Sequence, residues 1–144
     1  MRVTPRKRHI ALPLSIMGMF YWLSSLPGNP LPDDPALYGL FYWLPPAAQN
    51  ALHVPAYAVL SWAWWWTLGA WLRVPVARAI TACAIASGYG VLDEWHQSFV
   101  PGRYASLTDV TFNFAGAMLG VWLAAWVGAG PRPVLPPTGI DKHP

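Results

Sequence analysis

The stretch DEWHQSFVPGRYASLTDVTFN, from Asp93 to Asn113, concentrates the reactive side chains of a 144-residue chain that is only 10% charged. Asp93, Glu94 and Asp109 bring carboxylates, His96 an imidazole, Arg103 a guanidinium, and Gln97, Ser106 and Asn113 uncharged polar groups. Glu94 with His96 is the least strained pair for general acid and base work. A nucleophilic Ser98 or Ser106 activated by His96 lacks any nucleophile-elbow pattern. Asp93, Glu94 and His96 lack a zinc-type spacing such as H-E-x-x-H, so no metal is expected from spacing. Arg103 is the evident partner for a carboxylate, or the group that would hold a phosphate. One arginine cannot neutralise three carboxylates, and the surplus implies a bound cation, a protonated carboxylate or a cationic ligand.

Local geometry sharpens this. Val100-Pro101-Gly102-Arg103 suits a type II turn, because proline fixes φ at its second position and glycine accepts a positive φ at its third, so the flanking helices form an antiparallel hairpin. Ser106 opens the second arm, and Asp109 three residues later completes the Ser-x-x-Asp spacing of a capping box. At a rise of about 1.5 Å per residue, Asp93 lies about 9 Å below a helix end near Phe99 and Asn113 about 10 Å below Ser106, so the two are expected at one depth. Asp93, His96 and Gln97 share a face, Glu94 points with Gln97 and Ser98, and Asp109, Asn113, Gly116 and Gly120 align on the other arm. Gly116-x-x-x-Gly120 is read as a packing motif of membrane helices. His53 and Tyr57, one turn apart in an earlier apolar segment, are expected to project toward the same polar site.

The elements that carry these residues are apolar. A chain that is 55% hydrophobic, with ten tryptophans, departs from soluble domains, which average about 25% charged residues. Four stretches fit membrane spans: 10–26, 51–72, 75–98 and 107–128, the second being the clearest and the third polar in its outer part. A Pro-rich tail, 131–144, reads as disordered, and one domain, 1–130, accounts for the rest. With four spans, eight of the nine basic residues (Arg2, Arg6, Lys7, Arg8, Arg73, Arg78, Arg132, Lys142) fall on one side. Asp33, Asp34, Asp93, Glu94 and Asp109 fall on the other with Arg103. Cytoplasmic flanks collect Lys and Arg, so both termini are expected inside and the polar hairpin outside. Residues 1–28 are read as a retained span rather than a cleaved signal peptide, because SSLPGN offers no A-x-A site and loss of a span would spoil the charge asymmetry. Trp62, Trp64, Trp65, Trp66 and Trp71 are read as an interfacial belt. The lone Cys83 allows no intramolecular disulfide. No basic stripe points to nucleic acid, and the excess of positive charge suits anionic inner-leaflet lipid.

Taken together, Asp93-Glu94-x-x-Gln97-x-Phe99-x-Pro101-Gly102-Arg103, Ser106-x-x-Asp109 and Asn113-x-x-Gly116 resemble the pattern of the VanZ-like membrane proteins of bacteria. Ser24-Ser25-x-Pro27 is similar to that family's first-helix ending and His53-x-x-x-Tyr57 to its second-helix signature, so the resemblance covers roughly residues 20–125. One departure is Asn50, where family members often carry a lysine. The resemblance implies an all-α, four-helix protein of the bacterial inner membrane, with a namesake associated with resistance to the glycopeptide teicoplanin. It implies no particular cofactor or mechanism.

The expectation is therefore an all-α polytopic membrane protein, N-in and C-in. Its outward pocket, formed by Asp93, Glu94, His96, Gln97, Arg103, Ser106, Asp109, Asn113, His53 and Tyr57, would bind a lipid head group or a lipidated amphiphile. An enzyme acting on an envelope lipid or lipid-linked precursor through Glu94 and His96 is the alternative. A purely structural partner subunit is a third reading, which leaves the surplus carboxylates without a role.

Overall fold

The computed structural model describes residues 8–28 and 45–128, and among them every regular element is an α-helix. In chain order these are α1 (Arg8–Ser24), the short α2 (Pro46–Ala51), α3 (His53–Leu68), α4 (Pro75–Gln97) and α5 (Leu107–Gly128). The Pro-rich tail, the basic residues Arg2, Arg6, Lys7, Arg132 and Lys142, and Asp33 and Asp34 lie outside the described residues.

Two helices, α4 and α5, are long and apolar enough to cross a membrane, and Ile10–Ser24 of α1 is a shorter apolar helix. Most of the stretch read as the clearest span, 51–72, is the single helix α3, and the boundary with α2 falls at the first residues of that stretch, Ala51 and Leu52. Pro55 has no N–H to donate to the Ala51 carbonyl and its ring crowds that oxygen, so regular pairing lapses between α2 and α3. Leu52 at the junction keeps right-handed helical dihedrals, accepts the Ala56 N–H and donates to Ala48. The chain thus passes through a kink rather than a loop. At the far end α3 stops at Leu68, and Arg78 donates from Nε and Nη2 to the Leu72 carbonyl while its guanidinium lies 5.0 Å over the Trp65 ring, which pins the turn into α4. Pro75 opens α4 at the first helical position, where its missing N–H costs nothing.

Helix packing depends on small residues. The most extensive contact is between α3 and α5, where a methyl placed on Gly116 would stand 2.3 Å from the Val54 carbonyl oxygen and one on Gly120 would stand 2.1 Å from that of Ala58. The backbones therefore meet directly, as the glycine spacing predicts. Tyr57, Leu60, Ala82, Cys83, Ala86, Ala117 and Val121 form the buried apolar cluster of α3, α4 and α5. α1 packs less extensively, against α3 and α4, and the Tyr89 hydroxyl ties α4 to it by donating to the Met17 carbonyl.

The distribution of polarity runs opposite to that of a water-soluble bundle. Trp62, Trp66, Ile80, Leu92, Trp122 and Trp126 are exposed, whereas Asp93, Glu94, Gln97, Asp109 and Asn113 are buried. An apolar exterior of this extent suits hydrocarbon.

Candidate functional site

The end of α1, the start of α3, the end of α4 and the start of α5 meet at one end of the bundle. The hairpin turn that joins α4 to α5 has the geometry read from the sequence: Gly102 has φ 75° and the Arg103 N–H donates to the Val100 carbonyl at 3.1 Å. The turn also holds α1, because Gly28 N–H donates to the Pro101 carbonyl at 3.0 Å. Behind it opens a cavity of about 880 Å³. Phe20, Leu23 and Leu26 of the α1 segment give it an apolar wall, and His53, Tyr57, Asp93, Gln97, Arg103 and Asp109 a polar one.

A chain of hydrogen bonds crosses the polar wall. Tyr57 hydroxyl donates to Asp93 Oδ2 at 3.5 Å, and Gln97 Nε2 donates to Asp93 Oδ2 at 3.2 Å and to Glu94 Oε1 at 3.4 Å. Gln97 Oε1 in turn accepts from Arg103 Nη1 at 3.3 Å. The remaining bonds of Arg103 go to main-chain oxygens, from Nε to Leu26 at 2.9 Å and from Nη2 to Leu23 at 3.3 Å. Arg103 thus reaches the carboxylates through the Gln97 amide rather than by the direct ion pair expected from its charge. Burial lowers the pKa of its guanidinium, with the charges of Asp93 and Glu94 acting in the opposite direction. An arginine nevertheless remains protonated.

Capping also departs from the expected form. Ser106 Oγ does cap α5, accepting from the Thr108 N–H at 3.2 Å. The reciprocal bond to the Ser106 N–H comes from Glu94 Oε2 at 3.0 Å, not from Asp109. A carboxylate of the neighbouring helix therefore takes half of the capping box, and Asp109 Oδ1 is left buried without a partner, as is Asp93 Oδ1. Asn113 likewise sits deeper than the matched depth suggested. It lies opposite Gly90, one turn below Asp93, because only a residue without a side chain leaves room for its amide: a methyl at Gly90 would come within 2.8 Å of Asn113 Cβ.

His53 and Tyr57 both face the cavity, their rings stacked at 6.3 Å. His53 Nδ1 is 2.8 Å from Asn113 Oδ1, and Asn113 Nδ2 donates to the Gly90 carbonyl at 3.4 Å. His96 is directed elsewhere: its Nε2 is 3.0 Å from Ser25 Oγ and its ring lies 4.5 Å from that of Tyr21, at the exit of α1. Glu94 and His96 are thus engaged with different parts of the molecule, the first with α5 and the second with α1. Apolar patterning gave no sign of Ser25 or Gly28 as contributors to this end. The backbone contact at Gly28, where a methyl would stand 2.0 Å from the Gly102 oxygen, had its one sequence signal in the Pro27-Gly28 break.

No curated protein and no solved structure matches the chain. The family model described as VanZ/LLP1 matches residues 7–128, which take in the whole of α1 to α5 and every residue of the cavity described above. With its polar cavity at one end of an apolar-faced helical bundle, the chain is a membrane protein of the VanZ/LLP1 family.

Proposed function

We propose that the protein is a multi-pass component of the bacterial cell envelope, with both termini cytoplasmic, whose outward cavity binds the head group and proximal chain of a membrane lipid or of a lipidated amphiphile. The observation that carries this reading is the two-sided cavity, with aliphatic and aromatic side chains from α1 on one wall and the Tyr57–Asp93–Gln97–Arg103 hydrogen-bonded chain on the other. Lipids present the same two chemistries at head-group depth, and a cavity of about 880 Å³ is within the size range of small-molecule sites. A contribution to resistance against teicoplanin-type glycopeptides fits this reading, since those antibiotics can carry an acyl chain.

Ala56 lines the cavity, and Ala56→Phe would place a ring in it. Native mass spectrometry of the purified wild type should detect a co-purifying lipid, and Ala56→Phe should lower its occupancy by about tenfold or more. Equal occupancy in the two proteins would exclude the cavity as the binding place. Orientation is checked separately with Tyr104→Cys in a Cys83→Ser background, because Tyr104 is highly exposed beside the hairpin turn. A membrane-impermeant thiol reagent should label it in intact cells, and protection until the cells are lysed would reverse the topology.

A further inference from the structure

Three buried carboxylates and one guanidinium converge at this end of the bundle, an imbalance of two negative charges. Asp93, Glu94 and Asp109 are exposed by only 6%, 3% and 9%. Ionised groups so far from water are costly unless compensated. Two of these carboxylates do not stand alone: one ring nitrogen of His53 and one oxygen each from Glu94 and Asp109 all lie within 4.8 Å of one another.

The surroundings prepare each group to be a ligand. Asn113 Nδ2 donates to the Gly90 carbonyl, so its Oδ1 is left to accept, and the group facing it at 2.8 Å, His53 Nδ1, must carry the proton. The lone pair of a neutral His53 then resides on Nε2. Histidine ligands are commonly fixed in this way, with the second ring nitrogen donating to an outer acceptor. Glu94 is oriented by the Ser106 N–H on Oε2, and Asp109 Oδ1 has no hydrogen-bond partner although it is buried. An unpartnered carboxylate oxygen buried beside a preset imidazole is the arrangement a cation completes.

We infer that His53, Glu94 and Asp109 form a binding site for one divalent metal ion of the zinc or manganese class, with a coordination position open toward the cavity. An imidazole in the donor set favours these ions over magnesium and calcium, which prefer oxygen alone. The two positive charges offset the surplus carboxylate. Because His53 and Asp109 both line the cavity, the open position faces the space available to a ligand. The spacing of the three residues, on α3, α4 and α5, conceals the site from any linear motif. The inference is independent of lipid binding, since it concerns the ion alone.

The test is calorimetric titration of chelator-stripped full-length protein in detergent with zinc or manganese chloride, with native mass spectrometry for stoichiometry. One ion per chain is expected. Asp109→Asn and His53→Gln should each abolish or severely weaken binding, and Asn113→Ala, which removes the outer acceptor along with the donor to the Gly90 carbonyl, should weaken it by about 10- to 100-fold. Thr111→Ala, exposed on the opposite side of α5, should bind like the wild type. Zinc should also raise the unfolding temperature of the wild type, a readout that needs no variant. Absence of binding to the wild type, binding that survives in His53→Gln/Asp109→Asn, or equally tight binding of magnesium would each overturn the assignment.

Discussion

Gly120→Val yields little or no folded protein in the membrane fraction. The first added carbon alone would lie 2.1 Å from the Ala58 carbonyl oxygen and 2.1 Å from Ser61 Oγ, and the carbonyl belongs to the α3 backbone, which cannot rotate away as a side chain would. Accommodation requires α3 and α5 to separate along the most extensive contact in the bundle, at a cost beyond about 3 kcal/mol, larger than ordinary overpacking. Gly116→Ala meets the same obstacle at Val54. Gly88→Ala is the control: a methyl there meets nothing within 4 Å, so stability should be unchanged or raised by up to about 1 kcal/mol through helix propensity. Thermal unfolding in detergent, followed by circular dichroism, compares them. If Gly120→Val melts with Gly88→Ala, the close α3–α5 approach is absent in solution.

The second large effect is expected at Arg103. Arg103→Ala removes three donors at once: it strands the Leu26 carbonyl oxygen and Gln97 Oε1, and leaves the Leu23 carbonyl with the Leu26 N–H alone. Hydrogen bonds from charged donors contribute about 1.5–3 kcal/mol each when both partners are satisfied, so a loss of several kcal/mol follows even with partial rescue by water. Arg103→Lys keeps the charge but replaces the planar fork by a single ammonium and should recover only part of that loss. The discriminating result is the lysine variant. Full recovery would mean that Arg103 acts as a charge near the carboxylates, and partial recovery that it acts as a three-way clamp on α1 and α4.

How far the sequence revealed this arrangement depends on whether the cause is local. The turn at Pro101 and Gly102 was legible because both residues constrain their own φ, and the approach of Gly116 and Gly120 because a four-residue spacing places both glycines on one face. The position of Ser106 as a cap was legible for the same reason. What escaped was every choice between partners on different helices. Glu94, rather than Asp109, takes the Ser106 N–H, and Arg103 prefers main-chain carbonyls to carboxylates; both follow from the depth at which α4 meets α5, which a one-helix rise cannot fix. Asn113 was expected level with Asp93 and lies opposite Gly90, since the register of a hairpin is set by which side chain fits which gap. The second span was expected to begin at residue 51, close to the start of α3, whereas the short helix α2 before it carries no long apolar run to announce it. His96 shared a calculated face with Asp93 and Gln97, but at the last turn of α4 that face divides between the cavity and α1.

The grip of Arg103 on α1 has one more implication. Its acceptors there are main-chain oxygens, and the bond from Gly28 to the turn is main chain at both ends. Such bonds are indifferent to the side chains at positions 23 and 26, yet the leucines at those positions line the cavity. Substitutions there reshape the wall while the seam stays closed, so the selectivity of the cavity is free to drift without erosion of the fold that encloses it.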